Sequence, residues 1–273
     1  MTMEAISKAI SNIIQKVQVN IPFTMLYESY LDKFIEFGLN PEIGLDATAL
    51  DRFARSDFRG IAEALHGNSP TVTLHAPFID LNAGSPDPAI RGITHRRLEQ
   101  LLDLVPLFKP VSVVCHAGYD AKRHAYFKET WSQNSIELWS WMADRLDRHG
   151  ARLMLENVYE AGPADMQFLF EGLKDQRVGF CLDVGHSLAF GQSDLKTWLD
   201  TLEPYLGQLH LHDNLGGHDE HLALGSGVID LGIVFKYLKK FKVNFPIITL
   251  EPHEEKDLWP SLEYLAQHWP WAE

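Results

Sequence analysis

The chain has 273 residues, 45% of them hydrophobic, enough to bury a large core as either two small domains or one α/β barrel. Its formal net charge is −13, from 24 Lys and Arg against 37 Asp and Glu spread along the chain. That balance argues against a nucleic-acid partner, whose binding needs Lys and Arg to neutralise phosphates, and against an anionic membrane.

The start, MTMEAISKAISNIIQK, is polar throughout and does not read as a signal peptide. Ile6, Ile10, Ile13 and Ile14 fall at helical spacing within residues 4–15, a short amphipathic helix expected to plug the bottom of a barrel. VQVNIPF (17–23) alternates as a first strand. Met25–Phe37 reads as a helix stopped by Gly38, and PEIGLD (41–46) as a short second strand. Asp57–Leu65 is a helix ending at His66-Gly67. TVTLH (71–75) is strand three, followed by a helix over Ile93–Phe108. VSVVCH (111–116) is strand four, and a Trp-rich helix runs from Phe127 to His149, stopping at Gly150. Packing of an outer layer explains Trp131, Trp139 and Trp141. RLMLE (152–156), VGFCLD (178–183), QLHLH (208–212) and PIITLE (246–251) are strands five to eight. Helices Ala164–Leu173, Leu195–Tyr205, Leu231–Phe241 (N-capped by Asp230) and Lys256–His268 follow them.

Eight apolar strands, each followed by a helix, predict a single (β/α)8 TIM barrel over residues 1–273 with a short N-terminal helix. No G-x-G-x-x-G follows the first strand, which removes the main support for an open doubly wound sheet. No window is apolar for long enough to span a bilayer. Cys115 and Cys181 lie in apolar strands and suggest no disulfide framework, so a cytoplasmic protein is expected. Cys181 shares a face with Asp183 and should fill an inner layer, whereas Cys115 should point toward the helices.

The strand ends carry the chemistry. His75, His116, Glu156, Asp183 and Glu251 end their strands, and strand seven carries His210 and His212. In a barrel those ends form one rim, where active sites are built. Imidazoles and carboxylates buried in such numbers are costly unless paired or bound to metal. The run Leu209–Asp230 (LHLHDNLGGHDEHLALGSGVID) holds four His, His210 and His212 included, and three Asp, with His218, Asp219 and His221 in its loop. Clustered N and O donors are what a Zn²⁺- or Mn²⁺-type site requires. Asp183 and His186, three apart, could grip one ion from a tight turn. His210 and His212 share a face, so spacing alone does not choose between them.

With these residues in view, the chain resembles the xylose isomerase-like TIM-barrel superfamily, which includes endonuclease IV and many sugar and sugar-phosphate isomerases and epimerases. The likeness runs from Thr71 to Glu251 through LHAPF (74–78), CHAG (115–118), LEN (155–157), CLDVGH (181–186), LHLHD (209–213), DEHLALGSG (219–227) and LE (250–251). It implies the nine residues with which endonuclease IV holds three zinc ions: His75, His116, Glu156, Asp183, His186, His210, Asp219, His221 and Glu251. It thereby makes His210 the ligand on strand seven. The superfamily's epimerases hold one metal with Glu156, Asp183, His210 and Glu251, so one to three divalent ions, Zn or Mn, are expected. Two departures bear on substrate. The Lys/Arg-rich surface of a DNA-repair enzyme is missing, and NLGGHDEH (214–221) lacks the Arg that ketose epimerases set against their substrate.

Two activities follow. The first is isomerisation or epimerisation of a small sugar or sugar phosphate, with Glu156 and Glu251 as catalytic residues, one removing and one returning a proton beside a metal-held carbonyl. The alternative is a di- or trinuclear zinc hydrolase of endonuclease IV type, cleaving a phosphoester or amide in a small substrate other than DNA. Tyr159, His212, Asn214 and His253 are the candidate substrate contacts.

Overall fold

The computed structural model describes residues 8–68, 71–174 and 176–271. Eight parallel strands close into a barrel in sequence order: β1 (Gln18–Pro22), β2 (Asn40–Gly44), β3 (Thr73–His75), β4 (Ser112–His116), β5 (Arg152–Glu156), β6 (Val178–Asp183), β7 (Leu206–Leu211) and β8 (Ile247–Leu250). The seam is closed by β8 against β1, with Gln18 opposite Thr249. Helices lie between the strands on the outside, and the main apolar core fills the space between barrel wall and helices. Among the described residues no helix is long and apolar enough to cross a membrane.

Strand alternation sorts the side chains. Val114, Met154 and Cys181 form a small separate apolar cluster, while Cys115 belongs to the larger core shared with the helices. The two thiols therefore point to opposite sides of the wall, and burial raises the pKa of both. Trp131 and Trp139 are buried, and Trp141 packs its ring 4.0 Å from that of His95.

Several elements differ from their sequence reading for local reasons. The N-terminal helix is described over Lys8–Ile14; Ile6 lies outside the described residues. It packs against the closing helix Glu255–His268, and Asn40 Nδ2 at the foot of β2 donates to Ile14 O. It therefore flanks the barrel floor. The helix expected over Ile93–Phe108 is two: Pro88–Leu102, capped by Asp87 with Pro88 in its first turn, and Val105–Phe108, where Pro106 opens a new turn. Gly38 ends Leu31–Phe37 in the left-handed region at φ 66°, where a side chain would be strained. Asp230 stands before Leu231–Leu238 but makes no side-chain cap.

Candidate metal centre

At the carboxyl ends of the strands, β4 and β5 set His116 beside Glu156, and β6 and β7 set Asp183 beside His210. Asp183 also caps the short helix Val184–Ala189, accepting from His186 N at 2.6 Å. The expected tight turn is thus a helical first turn, and its cap fixes the spacing of Asp183 and His186.

All nine residues named above converge. Glu156 is at their centre: His75 Nε2 lies 3.0 Å and His116 Nε2 3.4 Å from Oε2, with His186 Nδ1 3.2 Å and His210 Nδ1 3.3 Å from Oε1. Five overlapping groups each bring one donor atom per residue within 4.8 Å of the others: His75, His116 and Glu156; Glu156, Asp183 and His210; His186, Asp219 and His221; Glu42, His210 and Glu251; and His212, His221 and Glu251. Glu251 Oε1 lies 3.1 Å from His210 Nδ1 and so adjoins the group of Glu156, Asp183 and His210. Asp219 Oδ2 lies 3.2 Å from His186 Nε2 and 3.0 Å from His221 Nε2.

The loop carrying Asp219 and His221 is held by Asp213. Its backbone forms an antiparallel bridge with Leu222, and its carboxylate accepts from the N–H groups of Asn214, Gly225 and Ile229. His221 sits in the left-handed region at φ 53°, a conformation that only a well-braced loop sustains.

The donor set fits divalent metal. His210 Nδ1 is fully buried and forms no hydrogen bond, although carboxylate oxygens of Glu251, Glu156 and Asp183 lie 3.1, 3.3 and 3.9 Å from it. A buried ring nitrogen among anionic oxygens, at angles unsuited to hydrogen bonding, is a position that a shared cation satisfies. Asp219 Oδ1 is orphaned in the same way.

Burial disfavours every charge here, and neighbours decide each outcome. Burial alone would raise Glu156, but His210, His116 and His186 override it and hold this carboxyl well below the usual range. Burial raises Glu251, and Asp183 and Glu156 reinforce the rise against the pull of His210. Burial pushes His116 down to about 3. Burial opposes protonation of His221 as well, yet Asp219 lifts it to about 9.

Two expected substrate contacts are buried and partnered in the structure. His212 is 1% exposed; its Nε2 lies 3.2 Å from Asp183 Oδ1 and its ring stacks 3.8 Å from His221. It packs so tightly over Gly185 that a Cβ there would fall 1.9 Å from the ring. Asn214 is fully buried, donating to Gly185 O and accepting from Gly216 N, so it braces its loop. Tyr159 and His253 are exposed at the rim, His253 stacking 3.7 Å from His221.

Sequence reasoning passed over Glu42. It lies fully buried inside the barrel with Oε1 2.9 Å from His210 Nε2. Its Oε2 accepts from Gln208 Nε2 at 2.6 Å, Thr73 Oγ1 at 2.9 Å and Thr249 Oγ1 at 3.1 Å. Glu42 thus sets a negative charge behind the imidazole whose near side faces the cluster, although His210 Nε2, like Nδ1, forms no hydrogen bond. A carboxylate in mid-strand, in NPEIGLD, was the available signal.

Several known proteins are similar to this chain. A protein from Thermus thermophilus, studied after soaking with ZnCl2, is 29% identical over 92% of this chain and 97% of its own, with a TM-score of 0.78. A D-tagatose 3-epimerase-like protein is 24% identical, covers 93% and 97%, and has a TM-score of 0.77. A probable endonuclease 4 of Mycobacterium leprae is 26% identical over 194 residues, 66% of this chain and 73% of that protein. Residues 33–268 match the model of the xylose isomerase-like TIM barrel family, with the converging rim donors inside the matched span, and the chain belongs to that family.

Proposed function

We propose that this chain is a divalent-metal hydrolase of small phosphoesters that holds two or three ions. The observation that supports it best is that nine candidate donors crowd one rim, with Glu156 shared by two donor groups and the His186, Asp219 and His221 group beside it, His186 Nδ1 lying 3.2 Å from Glu156 Oε1. In a single-ion enzyme the His75–His116 pair and Asp219 and His221 would serve only to orient the ligands or to contact substrate. The 26% likeness to probable endonuclease 4 points the same way. When bound, such ions supply hydroxide at neutral pH and offset charge on phosphoryl oxygens. Glu156, flanked by four imidazoles and 1% exposed, stays an anion and spaces the groups. Glu251, 8% exposed against 1% for Glu156, is the carboxyl with access to the mouth. Tyr159 and His253 position the substrate from the rim.

Zinc per chain, measured after chelation and reconstitution, should come to two or more, and the loaded protein should hydrolyse bis(p-nitrophenyl) phosphate. A value near one would remove the reading. A net charge of −13 opposes DNA, so an abasic-site duplex should survive at physiological salt.

One observation favours a second reading, metal-dependent isomerisation or epimerisation of a sugar. Glu156 and Glu251 flank His210 with pKa values pushed in opposite directions, the pattern of a paired base and acid. Glu251 would then remove or return a proton on a carbon atom. Solvent deuterium should enter one of a panel of ketoses and ketose phosphates and cease to do so in Glu251→Gln. Wild-type protein that exchanges no carbon-bound proton would dismiss this reading.

A further inference from the structure

A cavity of roughly 270 Å³ opens from the rim beside His116 and Tyr159 and runs between the loops that follow β3 and β4. Ala83, Leu98 and Trp139 line its depth, all buried. Phe78 and Ile79 form its entrance, 44% and 69% exposed. Phe78 stacks on the His116 ring at 4.3 Å and 24°, so the cavity begins where the His75, His116 and Glu156 group ends. We infer that this cavity is a subsite for an aromatic group carried by the substrate, an inference that rests on the phosphoester reading above.

Three observations select an aromatic group. The first is size: an apolar cavity of about 150 Å³ already takes up benzene, so a single ring fits with room to spare. The second is that Asn82 and His124, polar side chains in the wall, are engaged with each other and with the backbone, which leaves the Trp139 indole N–H as the buried donor without a partner. Asn82 Oδ1 accepts from Trp131 Nε1 and Gly84 N, its Nδ2 lies 3.1 Å from His124 Nε2, and His124 Nδ1 lies 3.0 Å from Asp120 N. A sugar placed here would lose water over several hydroxyls and meet few open partners, Trp139 Nε1 among them. The third is charge. Arg123, the cation at this cavity, pairs with Asp120 at 3.4 Å, and Asp80 adds another negative group. A second phosphate is therefore opposed, while the exposed faces of Phe78 and Tyr159 suit a flat ring.

The test uses the full chain loaded with zinc, titrated separately with phenyl phosphate and methyl phosphate. Phenyl phosphate should bind at least about tenfold more tightly, the scale of ring burial plus aromatic contact. Ala83→Leu, which fills the depth, and Ile79→Ser, which strips an exposed wall, should each bring the ratio of the two affinities toward one at unchanged zinc content. Ala83 is buried and its replacement could disturb folding; Ile79 is exposed, so that variant decides the matter alone if necessary. Equal wild-type affinities, or a preference untouched by Ile79→Ser, overturn the subsite and leave the phosphoester reading standing. Absence of binding by both phosphates overturns the two together.

Discussion

Glu156→Gln should leave the protein folded with at most one zinc per chain and should lower phosphodiester hydrolysis roughly a thousandfold, the scale on which removing one fixed electrostatic partner from a reaction centre is felt. The expectation follows from sharing. Two of the donor groups contain Glu156, and the group of His186, Asp219 and His221 does not. Gln keeps the volume and one carbonyl acceptor but removes the charge that four imidazoles face within 3.4 Å. His75 and His186, whose pKa values are raised against the effect of burial by Glu156 among others, should then hold their protons less firmly. Zinc counting on the variant separates the readings. One retained ion supports the site built on a shared Glu156, full retention shows that Glu156 is not the shared ligand, and complete loss returns the centre to the single-ion arrangement.

The legibility of this site in the sequence has a physical basis. A parallel barrel collects the carboxyl ends of its strands on one rim, so a polar residue ending an apolar run is placed without knowledge of the tertiary contacts. His75, His116, Glu156 and Asp183 are all of that kind. His210 and His212 are not separable by alternation, because both face inward; the structure separates them by what each ring meets. His210 Nδ1 faces Glu156 and Glu251, whereas His212 lies behind Asp183 over Gly185. The burial of His212 and Asn214 was not legible in the sequence. Composition marks a loop as rich in ligand-type residues but does not say which of them the chain folds inward to hold the others.

Helix breaks fell where a cap competed with periodicity. The apolar pattern of Ile93–Phe108 continues through Pro106, while the backbone does not. The short helix Val184–Ala189 was hidden because Asp183, read as a strand end, serves also as its cap. Glu42 was missed for a third reason: its partners Thr73, Gln208, His210 and Thr249 come from three other strands, and only closure of the barrel brings them together.

That closure makes Glu42 the most consequential residue outside the nine. Glu42→Gln should weaken zinc binding by about 10- to 100-fold in a chelator competition, the range typical of groups that orient a metal-bound imidazole from behind. The substitution preserves shape but removes the negative charge 2.9 Å from His210 Nε2, and with it part of what fixes the ring and raises its basicity. Glu42→Leu should go further and destabilise the metal-free protein by about 3–5 kcal/mol in urea unfolding, because the partners of a buried charge are left unpaired. Those partners are explicit: Thr73, Gln208 and Thr249 all donate to one oxygen in a space closed to water. The two substitutions therefore separate roles. If Glu42→Gln binds zinc like the wild type while Glu42→Leu unfolds early, Glu42 is a packing element of the barrel interior. If Glu42→Gln is stable yet zinc-poor, the charge on Glu42 acts through His210 on the metal centre.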